Sequence, residues 1–380
     1  MHVCDVTMFY TAHGGGVRRY LRAKRRWAAG QEGERYTLLS PGGHVAKRGN
    51  HWLLPAPLLP FSHGYRFPLR RAPWVNTLIE LQPDVIEAGD PYRLARAALK
   101  AAERLGVPAT AFMHSDLPRL VEQRFGHWAG QRAQKYLLNL YAAFDAVQVP
   151  SLGLADRMRE LGLHQVVWQP LGVDAEKFNP ALHQPLVREG LKLKDHVRLL
   201  VFAGRYAREK NIDILLEAMR LLGTDYHLLL IGPDMPPSNL SNVTAHGEFC
   251  DSVQLAHYLA SADAMVHAGD QETFGLIVLE GMASGLPVVG VRGGALPELI
   301  TPEVGVLAEP RDAASLAQAV RALFTQEWRQ MGRAARQRVD KYFRWDVVFQ
   351  QQHAFYCALK SGSLKVDAYT AYNEVLHASL

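Results

Sequence analysis

Two glutamates stand out in the stretch "GDQETFGLIVLEGMASGLPVVG", residues 269–290: Glu272 in its polar opening, and Glu280 inside an otherwise apolar run. An ionised carboxylate in such a run costs on the order of several kcal/mol to desolvate unless it has a partner. Glu280 therefore reads as a binding group whose partner lies outside the sequence. A helix beginning near Thr273 or Phe274 would offer its free N–H groups to a phosphate. Glu272 would sit on the preceding loop, with Leu276, Glu280 and Ala283 sharing one helix face. Carboxylates accept strong hydrogen bonds from hydroxyls. Two of them bracketing an anion-binding helix end suit a nucleotide sugar, with ribose on one side of the diphosphate and the transferred sugar on the other. The competing reading pairs Glu280 with a Lys or Arg in the core.

Three further loops carry chemistry. In "TAHGGGVRRY" the glycines Gly14, Gly15 and Gly16 precede a helix, so backbone N–H groups can approach an anion closely. The spacing is not GxGxxG, and a plain turn explains the glycines equally well. "FMHSDLPRL" places His114 and Asp116 after a buried-looking strand, where an imidazole can hydrogen-bond or accept a proton near neutral pH, although a structural role is open to it too. In "FAGRYAREKNIDILLEAM", Arg205 and Lys210 lie five residues apart across a strand-to-helix turn. They could clamp a diphosphate, Arg by its forked donors and Lys as a point charge; a solvated loop is the alternative.

Strands and helices alternate along the chain, which predicts parallel α/β sheets. Strands are expected at "HVCDVTMFY", "YTLLS", "PDVIEAG", "PATAFMH", "DAVQVP" and "QVVWQP", with helices at 16–30, 93–105, 131–143 and 153–161. The Pro-rich segment 171–186 reads as a linker between an N-terminal domain, 1–170, and a second domain, 187–344. The second series has strands at "VRLLVFAG", "YHLLLIG", "VTAHG", "DAMVHAG", "LPVVGV" and "VGVLAE", and helices around 209–222, 252–261, 275–284 and 312–324. Residues 345–380 form a C-terminal helix and tail expected to return to the N-terminal domain. Two doubly wound, Rossmann-like domains facing a central cleft would bind ligands at the carboxyl ends of their strands.

Composition sets the bounds. The 380 residues are 48% hydrophobic, enough for two cores. No apolar run of membrane-spanning length and no leader pattern is visible, so a cytoplasmic location is expected. Three dispersed cysteines suggest reduced thiols rather than disulfides or zinc. Residues 1–175 carry 22 Lys or Arg against 14 Asp or Glu, a net of +8, whereas the remainder has 20 against 23, a net of −3. That asymmetry points to an acidic partner or to a solvated basic face. The first helix contributes Arg18, Arg19, Arg22, Lys24, Arg25 and Arg26; "HGYRFPLRRAPW" interleaves Arg66, Arg70 and Arg71 with Tyr65, Phe67 and Trp74. Both could rest on anionic lipid, peripherally on the inner membrane face.

"GGGVRRY", "GVDAEKFNP", "GRYAREK" and the Glu272/Glu280 pair, in the family's order over residues 3–345, resemble the family 4 glycosyltransferases of the GT-B fold. The resemblance implies retaining, metal-independent transfer from a nucleotide-diphosphate sugar, with no cofactor and no metal site. It implies that Glu272 holds donor-sugar hydroxyls, that Thr273, Phe274, Gly275 and Leu276 offer backbone groups to phosphate and sugar, and that Glu280 binds ribose. Gly15 and Gly16 would close over the diphosphate, Arg205 and Lys210 would neutralise it, and His114 would sit beside the reacting sugar. The base contact is expected near Glu248 and Phe249. The acceptor, a glycan or lipid-linked glycan, belongs to the N-terminal domain, with Arg18, Arg19, Arg66, Arg70, Arg71 and Asp116 as candidates. Relatives often carry Ser at the place of Gly269, and "HSD" departs from the family's plainer signature. A nucleotide-sugar hydrolase or epimerase, or a non-catalytic nucleotide-sugar-binding protein, would share the clamp; nucleic acid is not an expected partner.

Overall fold

The computed structural model describes residues 1–11, 15–60, 62, 64–248 and 250–364. The chain divides into two compact units, Met1–Pro170 together with the residues from Val348 onward, and Leu171–Val347. Each is built around a largely parallel sheet.

In the first unit the strands are β1 (His2–Val6), β2 (Arg35–Gly42), β3 (Ala46–Arg48), β4 (His51–Pro55), β5 (Val85–Ala88), β6 (Ala109–Phe112), β7 (Ala146–Val149) and β8 (Val166–Trp168). They lie in the order β3-β4-β2-β1-β5-β6-β7-β8, and only the short edge strand β3 runs antiparallel, against β4. The helices are α1 (Gly15–Ala29), α2 (Ala72–Leu81), α3 (Arg93–Leu105), α4 (Leu117–Phe125), α5 (His127–Tyr141) and α6 (Leu152–Glu160). Helix α3 shows why such segments fold here: Leu94, Ala95, Ala97, Ala98, Ala101 and Ala102 are buried, so small side chains let it lie close on the sheet, and Gly106, with a φ of 66°, ends it.

The second unit contains α7 (Pro185–Gly190), β9 (Arg198–Ala203), α8 (Ile212–Leu222), β10 (Tyr226–Ile231), β11 (Val243–His246), α9 (Ser252–Ser261), β12 (Ala264–Val266), α10 (Leu276–Ala283), β13 (Val288–Val291), α11 (Leu296–Leu299), β14 (Gly305–Ala308), α12 (Ala313–Phe324) and α13 (Trp328–Tyr342). Its strand order is β11-β10-β9-β12-β13-β14, all parallel. The order reverses between β9 and β12, so their carboxyl ends open the crevice where this architecture takes ligands. The segment expected as a linker is built into this unit. Val173 N–H donates to Phe343 O (2.7 Å), and Leu171, Val173, Ala175 and Phe178 are buried.

Helix α14 (Trp345–Lys360) passes into the first unit, where Phe349, Phe355 and Tyr356 are buried. There the structure corrects the reading of the basic first helix. Lys24 is 3% exposed, on the same face as Tyr20, Leu21 and Ala28. Its Nζ donates to both oxygens of Asp5 (2.9 and 2.8 Å), to Glu87 Oε1 (3.0 Å) and to the Tyr356 hydroxyl (2.7 Å). Tyr36 donates to Asp5 (2.6 Å), and Gln148 and Tyr356 donate to Glu87 (2.6 and 2.5 Å). Burial pushes the Asp5 carboxyl upward against the pull of Lys24. At Glu87 burial pushes the same way, but the charge of Lys24 and the donors around it prevail and hold the carboxyl below its usual range. Satisfied on every side, the lysine ties α1 and α14 to the sheet and has no part in a lipid-facing surface. Trp74, 2% exposed at the start of α2, likewise belongs to the core. Among the described residues no helix is long and apolar enough to cross a membrane. Cys4 is buried, whereas Cys250 is half-buried and Cys357 exposed, and all three are free thiols.

Candidate functional site

The crevice at the β9–β12 reversal gathers Lys210, His267, Asp270 and Glu272. Strand β12 ends at Val266, and the chain passes at once through His267, which is fully buried against Phe202 of β9, ring centroids 5.5 Å apart. Gly269 N–H donates to His267 Nδ1 (3.1 Å), which leaves the proton on Nε2. That nitrogen lies 3.2 Å from Glu272 Oε1, and Lys210 Nζ donates to the same oxygen. Burial alone would raise the Glu272 carboxyl, but the hydrogen bond from His267 and the charge of Lys210 outweigh it and hold the group well below the usual carboxylate range. Glu272 is thus held as an ionised acceptor at the mouth of the sheet, suited to take hydrogen bonds from hydroxyls.

The backbone around this carboxylate is fixed on two sides. Asn211, with a left-handed φ of 50°, donates to Ala268 O (3.0 Å) and Asp270 Oδ1 (3.3 Å), and Arg311 Nε donates to Asp270 Oδ2 (2.8 Å). Ala295 N–H donates to Glu272 O (2.8 Å) from the "RGGA" turn after β13. At Gly294 the φ is +56°, and a Cβ there would lie 2.7 Å from Glu272 N; at Gly293 it would lie 2.9 Å from Asp270 Cα. Only glycines allow this approach. A Cβ at Gly269 would meet His267 Cε1 at 2.7 Å and Glu209 O at 2.9 Å, so the small residue there is what lets the imidazole pack under the loop.

Helix α10 begins at Leu276, two to three residues later than expected, because Gly275 adopts φ 93° as its N-cap. Thr273 and Phe274 therefore belong to the loop, Phe274 buried at 4% exposure. Glu280 is 3% exposed, and its neighbours Val278, Leu279, Met282 and Ala283 are fully buried. Gly281 lets the helix lie directly on Met265 of β12. Arg336 holds the other end, donating to Ala283 O (2.8 Å) and Phe178 O (3.0 Å). Of the expected cationic clamp, Lys210 stands on Glu272, whereas Arg205 is 75% exposed with Nη2 3.9 Å from Glu209. Glu248 is exposed after β11, and Phe249 lies outside the described residues.

The first unit holds the other expected residues. Gly15 opens α1 at φ 51°, with clear space where a Cβ would point, and Gly16 follows it; Gly14 lies outside the described residues. His114 stacks on Phe112 (4.3 Å, 15°) beside Tyr20 (5.2 Å). Burial pushes its pKa down to about 4, against the upward pull of Glu87 and with the downward push of Lys24. Of the roles the sequence leaves open to it, the lowered value disfavours accepting a proton near neutral pH and leaves hydrogen bonding by the neutral ring. Asp116 caps α4 by accepting from Arg119 N (3.3 Å) and is paired with Arg157, so its carboxylate is already committed to the fold. Arg66 Nη1 donates to Ala56 O (2.7 Å), which makes it a structural tie; Arg19, Arg70 and Arg71 are exposed and Arg18 is half-buried. Among the described residues no group of three or more His, Cys, Asp or Glu is placed to hold a metal.

His267, Asp270, Asn211 and Arg311 escape the sequence reading. His267 sits in "DAMVHAG", where it passes as the last residue of a strand; its signal is a histidine at a buried strand end, five residues before the loop glutamate.

Residues 197–326 match the family described as "Glycosyl transferases group 1", and residues 13–177 match "Glycosyltransferase Family 4". The chain is 32% identical over 362 residues to the GDP-mannose-dependent α-(1-6)-phosphatidylinositol dimannoside mannosyltransferase of Mycobacterium tuberculosis, covering 91% of this chain and 93% of that one. Among solved structures, sucrose-phosphate synthase from Thermosynechococcus elongatus superposes with a TM-score of 0.75 at 21% identity, over 95% of this chain and all of the other (100%). HepE of Anabaena, in complex with UDP, gives 0.74 at 18% identity, over 94% and 100%.

Proposed function

Because the chain belongs to the family 4 glycosyltransferases of the GT-B fold, we propose that it moves a mannosyl group from GDP-mannose to a hydroxyl of a phosphoinositide-type glycolipid, with retention at the anomeric carbon and without a metal. The choice of donor and acceptor is supported by the mycobacterial relative that matches nearly the whole chain. The observation that carries the reading is the Glu272 carboxylate, held ionised by His267 and Lys210 at the strand reversal.

In this reading Glu272 accepts hydrogen bonds from the donor-sugar hydroxyls, the N–H groups from Phe274 to Leu276 face the diphosphate, and Glu280 takes the ribose. The bond from the anomeric carbon to the phosphate oxygen breaks as the acceptor oxygen bonds to the same face of that carbon. The acceptor proton passes to the departing phosphate. Lys210 and Arg205 offset the charge that develops on the diphosphate, the kind of fixed electrostatic aid that lowers such barriers most. The exposed Arg19, Arg70 and Arg71, with Leu69 at 63% exposure, would bring the enzyme to the inner face of an anionic membrane.

The test supplies GDP-mannose or UDP-glucose with phosphatidylinositol mannoside in vesicles, with and without EDTA. An α-linked mannolipid formed equally under both conditions supports the proposal. Release of free sugar without glycolipid would instead make the protein a nucleotide-sugar hydrolase.

A further inference from the structure

The first unit contains a polar cavity, about 610 Å³, lined chiefly by Tyr10, Arg22, Arg25, Arg26, Arg35 and Asn50. Its size is that of a small-molecule site. Its lining joins the outer face of α1 to the start of β2 and the turn before β4. Arg22, Arg25, Arg26 and Ala29 recur at i, i+3, i+4 and i+7, so three guanidinium groups stack along one helix face while Tyr20, Leu21, Lys24 and Ala28 fill the core side. Helix α1 carries no carboxylate at all. Like charges at this spacing oppose helix formation. Arg26, in the last turn, is favoured by the helix dipole, but Arg22 lies a turn earlier.

The cavity is positioned as well as charged. Arg25 Nε donates to Asn50 Oδ1 (2.9 Å) and its Nη1 to the Tyr10 hydroxyl (3.1 Å), which aims the guanidinium. Arg35 on β2 is held through Nη2 by His2 Nδ1 (2.8 Å). Glu34, the one carboxylate of the lining, has His353 Nε2 at 3.0 Å. A separate sign of the positive field is His51, whose ring lies 4.9 Å from that of Tyr10. Burial, then Arg25, then Arg48, push its imidazole down to about 4.

We propose that this cavity binds a phosphate ester borne on a polyol or sugar, distinct from the nucleotide-sugar crevice. Forked guanidinium groups match phosphate oxygens two at a time. Asn50, Tyr10 and Glu34 offer hydroxyl-recognising partners around them. The phosphate can belong to a free metabolite or to the headgroup of a phosphoinositide.

The experiment titrates the full chain with inositol 1-phosphate by calorimetry at low and moderate salt, and separately with phosphatidylinositol vesicles by sedimentation. The variants are Arg22→Glu with Arg26→Glu, the milder pair Arg22→Gln with Arg26→Gln in case charge reversal impairs folding, and Lys210→Ala. Binding of free inositol 1-phosphate that weakens tenfold or more in the arginine variants, and is unchanged in Lys210→Ala, establishes the site for a soluble ligand. Vesicle binding alone, lost in the same arginine variants, assigns the phosphate to a lipid headgroup. The proposal is overturned if the unaltered chain binds neither probe at low salt, or if binding follows Lys210 rather than the arginines.

Discussion

His267 and Glu272 form a directed pair: the imidazole Nε2 lies 3.2 Å from the carboxylate, and Gly269 N–H, 3.1 Å from Nδ1, dictates which nitrogen bears the proton. The histidine can therefore orient Glu272 while neutral, leaving Lys210 to supply the counter-charge.

Glu272→Gln removes one member of a mostly buried ion pair, and the variant is expected to lose on the order of 3 kcal/mol of stability. The sign of the pH dependence follows from the depressed carboxyl. Its contribution is complete above the unfolded value of about 4.3 and is lost as pH falls through the lower folded value. The stability gap to the unaltered chain should be full above about pH 5 and shrink below about pH 4. Transfer should fall by about two orders of magnitude. Denaturant melts across this pH range, with initial rates, check both; a gap that grows on acidification would refute the assignment.

Gly294→Ala places a Cβ 2.7 Å from Glu272 N at a φ of +56°. A cost of at least about 2 kcal/mol is expected. Gly269→Ser should displace His267 and raise KM for the donor more than it lowers the melting temperature. Thermal melts and donor titrations would show it, and unchanged values in both variants would remove these glycines from the site.

His114, pushed down to about 4, should give no kinetic pKa between 6 and 7. Its ring resonances, followed by NMR against a His114→Gln control, should titrate near the lower value. An imidazole that titrates near 6.5 would contradict this reading and leave proton transfer open to it.

The sequence revealed the parallel α/β character and most of the strands, since uninterrupted apolar segments such as "LLVFA" of β9 have few alternatives. Helices α3 and α9 span the residues read for them, 93–105 and 252–261; at α9 Asp251 caps the start, accepting from both Val253 N and Gln254 N. Strands β3 and β4 and helices α2 and α4 escaped. The first is three residues of mixed polarity at a sheet edge, and α2 starts amid the arginines of a segment read for its charge. Lys24 was misplaced for the same reason. A helix rich in cations looks uniformly solvated until one notices that Lys24 follows Tyr20 by four residues and precedes Ala28 by four, on the apolar face. Asp5 and Glu87, each inside a buried strand, were the signal that a buried cation had to meet them. Glu272 and Glu280 were legible because a charge in an apolar stretch requires an explanation; His267 was not, because its neutral ring fits a strand end.

The central claim, that the second unit binds a nucleotide-diphosphate sugar with Glu280 as the ribose anchor, is tested most directly by calorimetric titration of GDP, UDP and ADP into the unaltered chain and Glu280→Gln. One nucleotide should bind the unaltered chain, and the variant should bind it at least tenfold more weakly, as the loss of about 1.5 kcal/mol or more of charge-assisted hydrogen bonding requires. Equal affinity in the two proteins, or no binding by the unaltered chain, would contradict the account.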